Sequence, residues 1–174
     1  MEHANIPKLL LEWMEEFIEK PHPLLGNWSP CPYARQARIK NSIKILMGNT
    51  PLQDGIDTVK HDLWHKDVVI FYYDLTQWPY QEFAKAANQM NEFLKPHGMI
   101  SLEDHPDDKE EVNGISMNFG PAALLIVQEA KKLNDAAAAL YQKGYYNNWS
   151  KEYFDRVFAN RPNPAVTNHE ICQD

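Results

Sequence analysis

The hydrophobic residues of this chain recur with two periods, and the change from one period to the other separates helices from strands. Apolar positions three and four residues apart, with Pro or Ser at segment starts and Pro or Gly at segment ends, predict six helices. These cover about residues 6–20, 32–40, 51–63, 80–94, 121–141 and 150–158. Alternating or continuously apolar runs between turn residues predict three strands. These lie at about residues 43–47, 68–73 and 99–103.

Each predicted strand is joined to the next by a helix, which favours parallel pairing with right-handed crossovers. The expected fold class is α/β, with a small three-stranded parallel sheet packed with helices. A split ferredoxin-like α+β sheet with an unrecognised fourth strand is the competing topology, because three strands are few for a parallel sheet. We expect a single domain at residues 1–160 and a flexible polar tail at residues 161–174.

The net negative charge of the chain argues against some classes of binding partner. Of its 174 residues, 44% are hydrophobic, and 17 basic residues against 24 acidic ones give a net charge of -7. An acidic surface repels phosphate backbones and anionic lipids, so we expect neither nucleic acid nor a membrane as a partner. The longest apolar run, residues 68–73, is far shorter than a membrane-spanning helix, and no export signal is recognisable. A cytoplasmic location is therefore expected.

Cys31 is the candidate for nucleophilic chemistry. The other cysteine, Cys172, lies in the polar tail, which argues against a structural disulfide. Cys31 precedes a short predicted helix that opens with Pro32, so Cys31 is the expected N-cap. A thiol at a helix N-terminus is favoured as the thiolate, and Arg35 and Arg38 add positive charge nearby. The same two arginines are candidates for binding a substrate.

The polar segment at residues 104–120 is the expected site loop, because loops of this length are usually functional or mobile. It leaves the third predicted strand at the sheet edge where α/β proteins bind ligands, and Cys31 is expected to return to that edge. His105 would then act as acid or base and Asp107 would orient it, as in Cys–His catalysis of a small molecule or peptide. The substrate-binding candidates on this loop are Asn113 and Asn118.

Two other functions stay open. In the first, one zinc, iron or copper ion is held by Cys31, His105 and a carboxylate from Asp104 or Asp107, with an open position for substrate or oxygen. In the second, the chain is a non-catalytic module that recognises another protein through the loop at residues 104–120, and Cys31 is buried and unreactive. The sequence leaves the substrate, the presence of a metal and the oligomeric state undecided.

Each candidate residue also has a purely structural explanation. Cys31 would fill a core, and His105 would cap its loop by bonding to the backbone. The acidic residues at 103–111 would form a solvated loop, since they lack the spacing of a calcium-binding loop. His61 and His65 are spaced like two metal ligands on one helix face but lack the Glu of a zinc protease, so surface positions are expected.

Several short motifs resemble an uncharacterised bacterial domain family of unknown function. The motifs are Pro30-Cys31-Pro32-Tyr33-Ala34, Leu102 to Asp107 with its His105-Pro106-Asp107, Asn113, and Pro121 followed by Leu124-Leu125. Members of that family carry Leu-Cys-Pro-Phe-Ala near the start, Phe-His-Pro-Asp after a late strand and Asn-Arg-Ser-Pro before a helix. Automatic labels sometimes call the family a peptidase.

The resemblance spans about residues 10–135 and implies that Cys31, His105 and Asp107 act as a unit. It implies nothing about the substrate. Where the family has Asn-Arg-Ser-Pro, this chain has Asn-Phe-Gly-Pro at residues 118–121. An anion-binding arginine is therefore absent from that position or replaced by Arg35 or Arg38.

Overall fold

A computed structural model describes residues 5–61 and 66–166 of the chain, which form one mixed α/β domain. Within these ranges the strands are β1 (Ile43–Met47), β2 (Val68–Tyr73), β3 (Met99–Asp104), β4 (Glu111–Val112), β5 (Ile115–Ser116) and β6 (Ala123–Glu129). The main sheet has the order β1-β2-β6-β3, and β4 and β5 form a separate two-stranded sheet. The expected fold class is thus confirmed, as are the three predicted strands.

The helices are α1 (Ile6–Trp13), α2 (Ala34–Ile39), α3 (Pro51–Lys60), α4 (Tyr80–Leu94), α5 (Ala130–Gln142) and α6 (Lys151–Val157). A π-helical turn, Met14–Ile18, continues α1. Asn5 caps α1 as its side-chain oxygen accepts the Lys8 N–H at 3.2 Å. None of the described helices is long and apolar enough to cross a membrane.

The prediction of an all-parallel sheet and of one helix over residues 121–141 is wrong, because β6 occupies the first part of that segment. β6 lies between β2 and β3 and runs antiparallel to both, with Leu125 opposite Phe71 on one side and Glu103 on the other. Both faces of β6 are covered, so Ala123, Leu124 and Leu125 are all buried. Such a strand shows no polar alternation, which made it indistinguishable from a buried helix.

Helices cover both faces of the sheet. On one face, α4 contributes four buried residues that pack on the apolar side chains of β2 and β6. These are Phe83, Ala87, Met90 and Leu94. On the other face, Leu10 of α1 packs with Ile70, Leu124 and Phe119. The sheet therefore has one core on each side, as expected for a helix–sheet–helix arrangement.

The end of β1 is fixed to β2 and α3 by a buried polar contact. The Tyr73 hydroxyl donates to Asp54 Oδ2 at 2.7 Å, and the same carboxylate accepts the Asn49 N–H at 2.9 Å. Gly48 lies against the Tyr73 ring so closely that an added Cβ would be 2.1 Å from a ring carbon. A glycine is required there for steric reasons alone.

The segment after β3 is not an unstructured loop but a folded hairpin region. β4 and β5 pair antiparallel around Asn113 and Gly114, which both adopt positive φ, 51° and 80°. This is the backbone of a tight hairpin turn, and Asn-Gly is its preferred sequence. The Asn113 side chain donates to the Leu24 carbonyl at 2.8 Å, which ties the turn to the segment before Cys31.

The C-terminal segment packs across both loops through aromatic rings. A row of ring contacts with centroid separations of 4.7 to 5.6 Å joins Trp28, Tyr145, Tyr146, Trp149 and Tyr153. At one end, the Tyr145 hydroxyl donates to the Pro30 carbonyl. At the other end, Arg156 of α6 pairs with Asp108. This aromatic row connects the Cys31 segment to the loop after β3.

Candidate functional site

His105 is buried and fully hydrogen-bonded. Its Nδ1 accepts the Asp107 N–H at 3.1 Å, so its Nε2 carries the proton and donates to the Trp78 carbonyl at 3.0 Å. Its ring lies 5.5 Å from the rings of both Tyr80 and Phe83, measured between centroids. In this state both ring nitrogens bond to the backbone, which is the loop-capping role.

Cys31 lies near the Tyr145 end of the aromatic row, next to Pro30, whose carbonyl accepts the Tyr145 hydroxyl. The residue is exposed, yet the protein around its sulfur raises the pKa of the thiol by desolvation, and the charge of Glu19 acts in the same direction. The backbone N–H groups of Tyr33 and Ala34 bond to the sulfur and oppose that rise. The N-cap of α2 is Tyr33 rather than Cys31, but the sulfur accepts N–H groups as a capping side chain does.

Arg38, one of the two arginines expected beside Cys31, does not supply free positive charge there. Arg38 binds both oxygens of Glu19, at 2.6 and 3.0 Å, and also contacts Glu15 at 2.9 Å. These two carboxylates neutralise its charge, so Arg38 does not favour a thiolate. Arg35 is exposed.

Among the described residues, no hydrogen bond or ion pair joins Cys31 to His105 or Asp107, and the groups that act on the pKa of the Cys31 thiol do not include either residue. Asp107 is an exposed residue whose carboxylate is 3.9 Å from His105 Nδ1. Within residues 5–61 and 66–166, no three His, Cys, Asp or Glu side chains are grouped as metal ligands. Cys172 and His65 lie outside the described residues.

The loop after β3 instead brings together carboxyl groups. We call Glu103, Asp104, Asp108, Glu110 and Arg156 the acidic cluster. Asp104 and Asp108 are buried, and Glu103 and Glu110 are half-buried, so the expectation of a solvated acidic loop is wrong for these four residues. The prediction fits Asp107 and Glu111, which are exposed. The acidic cluster lies at the ends of β3 and β6, the edge where a site was expected.

Two members of the acidic cluster are unusually weak acids. Desolvation raises the pKa of Asp104 to about 7, although the Phe119 N–H bonds to its carboxylate and opposes the rise. Desolvation and the charges of Asp108 and Asp104 raise the pKa of Glu110 to about 7. Burial also raises the pKa of Glu103, with Asp108 adding to the rise. Carboxyl groups of this kind are concentrated at functional sites.

The hydrogen bonds of the acidic cluster are incomplete. Glu103 Oε2, and Oδ1 of Asn118 next to the cluster, are buried acceptors without a donor in the described part of the chain. Asn118 uses its amide N–H to hold the Asp108 carbonyl, and Arg156 holds the Asp108 carboxylate. The Glu110 carboxyl makes no hydrogen bond to a described residue. A ligand that donates N–H groups would satisfy these acceptors.

Sequence reasoning missed the residues of α6 that complete the acidic cluster. Arg156 bonds to Asp108 from 48 residues away, and Tyr153 lies within electrostatic range of Glu110, Asp108 and Asp104. The signal that was available is the short, charge-rich helix capped by Ser150, whose Oγ accepts the Tyr153 N–H at 3.1 Å. Nothing in that pattern indicates which surface the helix covers.

Comparison of the chain with protein-family models, with curated proteins and with solved structures finds no match. The resemblance to the uncharacterised bacterial family stays a prediction from its short motifs.

Proposed function

We propose that the chain is an enzyme that binds a small molecule or peptide group bearing an amine or guanidine at the acidic cluster, and that Glu110 transfers a proton there. The observation that supports this proposal is the burial of Asp104 and the half-burial of Glu110 beside Asp108, which raises the pKa of both carboxyl groups to about 7. A general acid or base works best when its pKa is near the working pH.

The charge of the acidic cluster supports a cationic ligand. Four carboxyl groups face one guanidinium, and two of the four hold a proton near neutral pH partly because of their neighbours' charges. A bound ammonium or guanidinium group would compensate these charges and donate to the open acceptor atoms.

The residues of the acidic cluster have different roles in this proposal. Asp108 is held by Arg156 and Asp104 by the Phe119 N–H, so both are positioning residues. Glu110 is half-buried and its carboxyl bonds to no described residue, which leaves it free to meet a ligand. Tyr80 and Tyr153 flank the charges, and burial raises the pKa of both hydroxyls, which keeps them neutral donors.

The test is a titration of the protein with butylammonium and with guanidinium, monitored by NMR at about pH 6 and about pH 8.5. Butanol is the uncharged control ligand. Binding of the cations is expected to tighten as the pH rises through about 7, since the carboxyl groups then ionise. Glu110→Gln should weaken it by about tenfold or more. Glu111→Gln, an exposed neighbour of the same type, is the matched control and should leave it unchanged. Equal binding by both variants, or no dependence on pH, would refute the proposal.

The cysteine-dependent reaction at Cys31 with His105 and Asp107 stays a prediction from the sequence, as does its metal-binding alternative. It would need His105 to exchange its bond to the Trp78 carbonyl for one to a substrate or a thiol. It would also need the raised pKa of Cys31 to be lowered by the ligand. The acidic cluster requires neither change.

A further inference from the structure

Arg161 is a half-buried arginine without an acidic partner in the described part of the chain. It follows α6, and its guanidinium carbon lies 4.6 Å from the centroid of the Phe158 ring. Its Nε is buried and has no hydrogen-bond acceptor among the described residues. Burying such a donor without an acceptor costs free energy, which an incoming oxyanion would recover.

Two other arginines of the chain, Arg38 and Arg156, are paired with carboxylates. Arg38 pairs with Glu19 and Glu15, and Arg156 pairs with Asp108, although the Arg156 side chain is 46% exposed. Arg161 makes no ion pair with any described residue, and its only electrostatic partner among them is Tyr146. An anionic partner from outside these residues would compensate the partial burial of the Arg161 guanidinium.

The surroundings of Arg161 suit an anion. Tyr146 packs edge-on against Phe158, with ring centroids 5.5 Å apart, and burial raises the pKa of its hydroxyl to about 12. Near neutral pH that hydroxyl is a donor. Among the described residues, the charges that act most on the Tyr146 hydroxyl are those of Arg161, Tyr33 and Cys31, and none of these is a carboxylate. Desolvation lowers the pKa of Arg161, yet an arginine stays charged near neutral pH.

We propose that Arg161 binds an oxyanion, a carboxylate or phosphate group of a ligand, beside Tyr146 and the Phe158 ring. The planar guanidinium offers such a group a two-point contact, which an ammonium does not. This site goes beyond the proposed function, because its charge is opposite to that of the acidic cluster. Arg161 interacts with Tyr146, whereas the acidic cluster interacts with Tyr153, a different member of the aromatic row.

The test uses the full chain labelled with ¹⁵N-arginine, in which the Nε–H signals are assigned by Arg161→Lys and Arg35→Lys. Phosphate and acetate are added in separate titrations, with chloride at matched ionic strength as the reference. The Arg161 signal should move and saturate, while that of the exposed Arg35 should follow chloride. As a second readout, phosphate should raise the midpoint of thermal unfolding of the Arg35→Gln variant but not of the Arg161→Gln variant.

Saturation with phosphate alone assigns a phosphorylated ligand, and saturation with acetate as well assigns a carboxylate; both support the proposal. It is overturned if neither anion gives a saturable shift. It is also overturned if the shift appears only in a Glu170→Gln, Asp174→Asn variant, because Arg161 would then hold the chain's own carboxylates. Cation binding at the acidic cluster is measured with different probes, so the two proposals fail independently.

Discussion

At the scale of single residues, the groups around a side chain decide whether it is available for chemistry. His105 has the right residue type for an acid or base, but two backbone groups occupy its ring nitrogens. Glu110 looks like one of many loop carboxylates in the sequence, yet its burial gives it a pKa of about 7. For His105 the difference lies in the contact with Trp78, far away along the chain, and for Glu110 it lies in burial and in the charges of Asp108 and Asp104.

The reactivity of Cys31 follows from the same reasoning. Its thiol pKa is raised above the ordinary value, so iodoacetamide should alkylate it more slowly than a free thiol at about pH 7.5. The measurement is the alkylation rate against pH in a Cys172→Ser background, with glutathione as the reference thiol. Fast labelling with a midpoint well below about 8.5 would contradict the raised pKa and restore the thiolate site expected from the sequence.

At the scale of elements, the sequence predicts those whose apolar residues face one side. The period of α4 and the runs in β1, β2 and β3 suffice to place these elements nearly where they are. The apolar run of β6 predicts a helix equally well, because a central strand buried on both faces has no period of its own. The β4–β5 hairpin carries an Asn-Gly turn, which is a sequence signal for a hairpin within the predicted loop.

The β1–α3 junction provides a steric test of the element packing. Gly48→Ala should lower the free energy of unfolding by about 1–3 kcal/mol or more, because the new methyl group meets the Tyr73 ring. The control is the same substitution without the ring: Gly48→Ala made in a Tyr73→Leu background should cost less stability than in the unmodified chain, because the ring that the methyl group meets is then absent. Chemical denaturation of the two single variants and the double variant is the measurement. An equal cost of Gly48→Ala in both backgrounds would show that Gly48 is not packed as described.

At the scale of the whole molecule, the acidic cluster is assembled from two segments that the sequence keeps apart. The loop after β3 supplies the carboxyl groups and α6 supplies Arg156, brought together across the aromatic row. The sequence indicated the edge of the sheet and the loop at residues 104–120 as the site. The sequence did not indicate that the carboxyl groups of this loop are buried, because their burial depends on how the C-terminal segment packs on the loop.

The burial of these carboxyl groups should make stability depend on pH. The pKa of these carboxyl groups is higher in the folded state than in the unfolded state, so between the two pKa values the folded chain binds more protons. The free energy of unfolding should therefore fall as pH rises from about 4.5 to about 7. Each full proton contributes about 1.4 kcal/mol per pH unit. Asp104→Asn should flatten this fall in urea unfolding profiles, while Asp135→Asn, an exposed residue of α5, should not. Parallel profiles for all three proteins would argue against buried acids.

An acid–base site at the acidic cluster requires Asp104 and Glu110 to change protonation near neutral pH, which side-chain ¹³C carboxyl shifts report directly. They should be followed by NMR between about pH 3 and pH 9, with assignments from Asp104→Asn and Glu110→Gln. We predict that the pair titrates near pH 7, as expected for carboxyl groups desolvated beside one another. Midpoints near the ordinary value of about 4 for both groups would contradict the acidic cluster as an acid–base site.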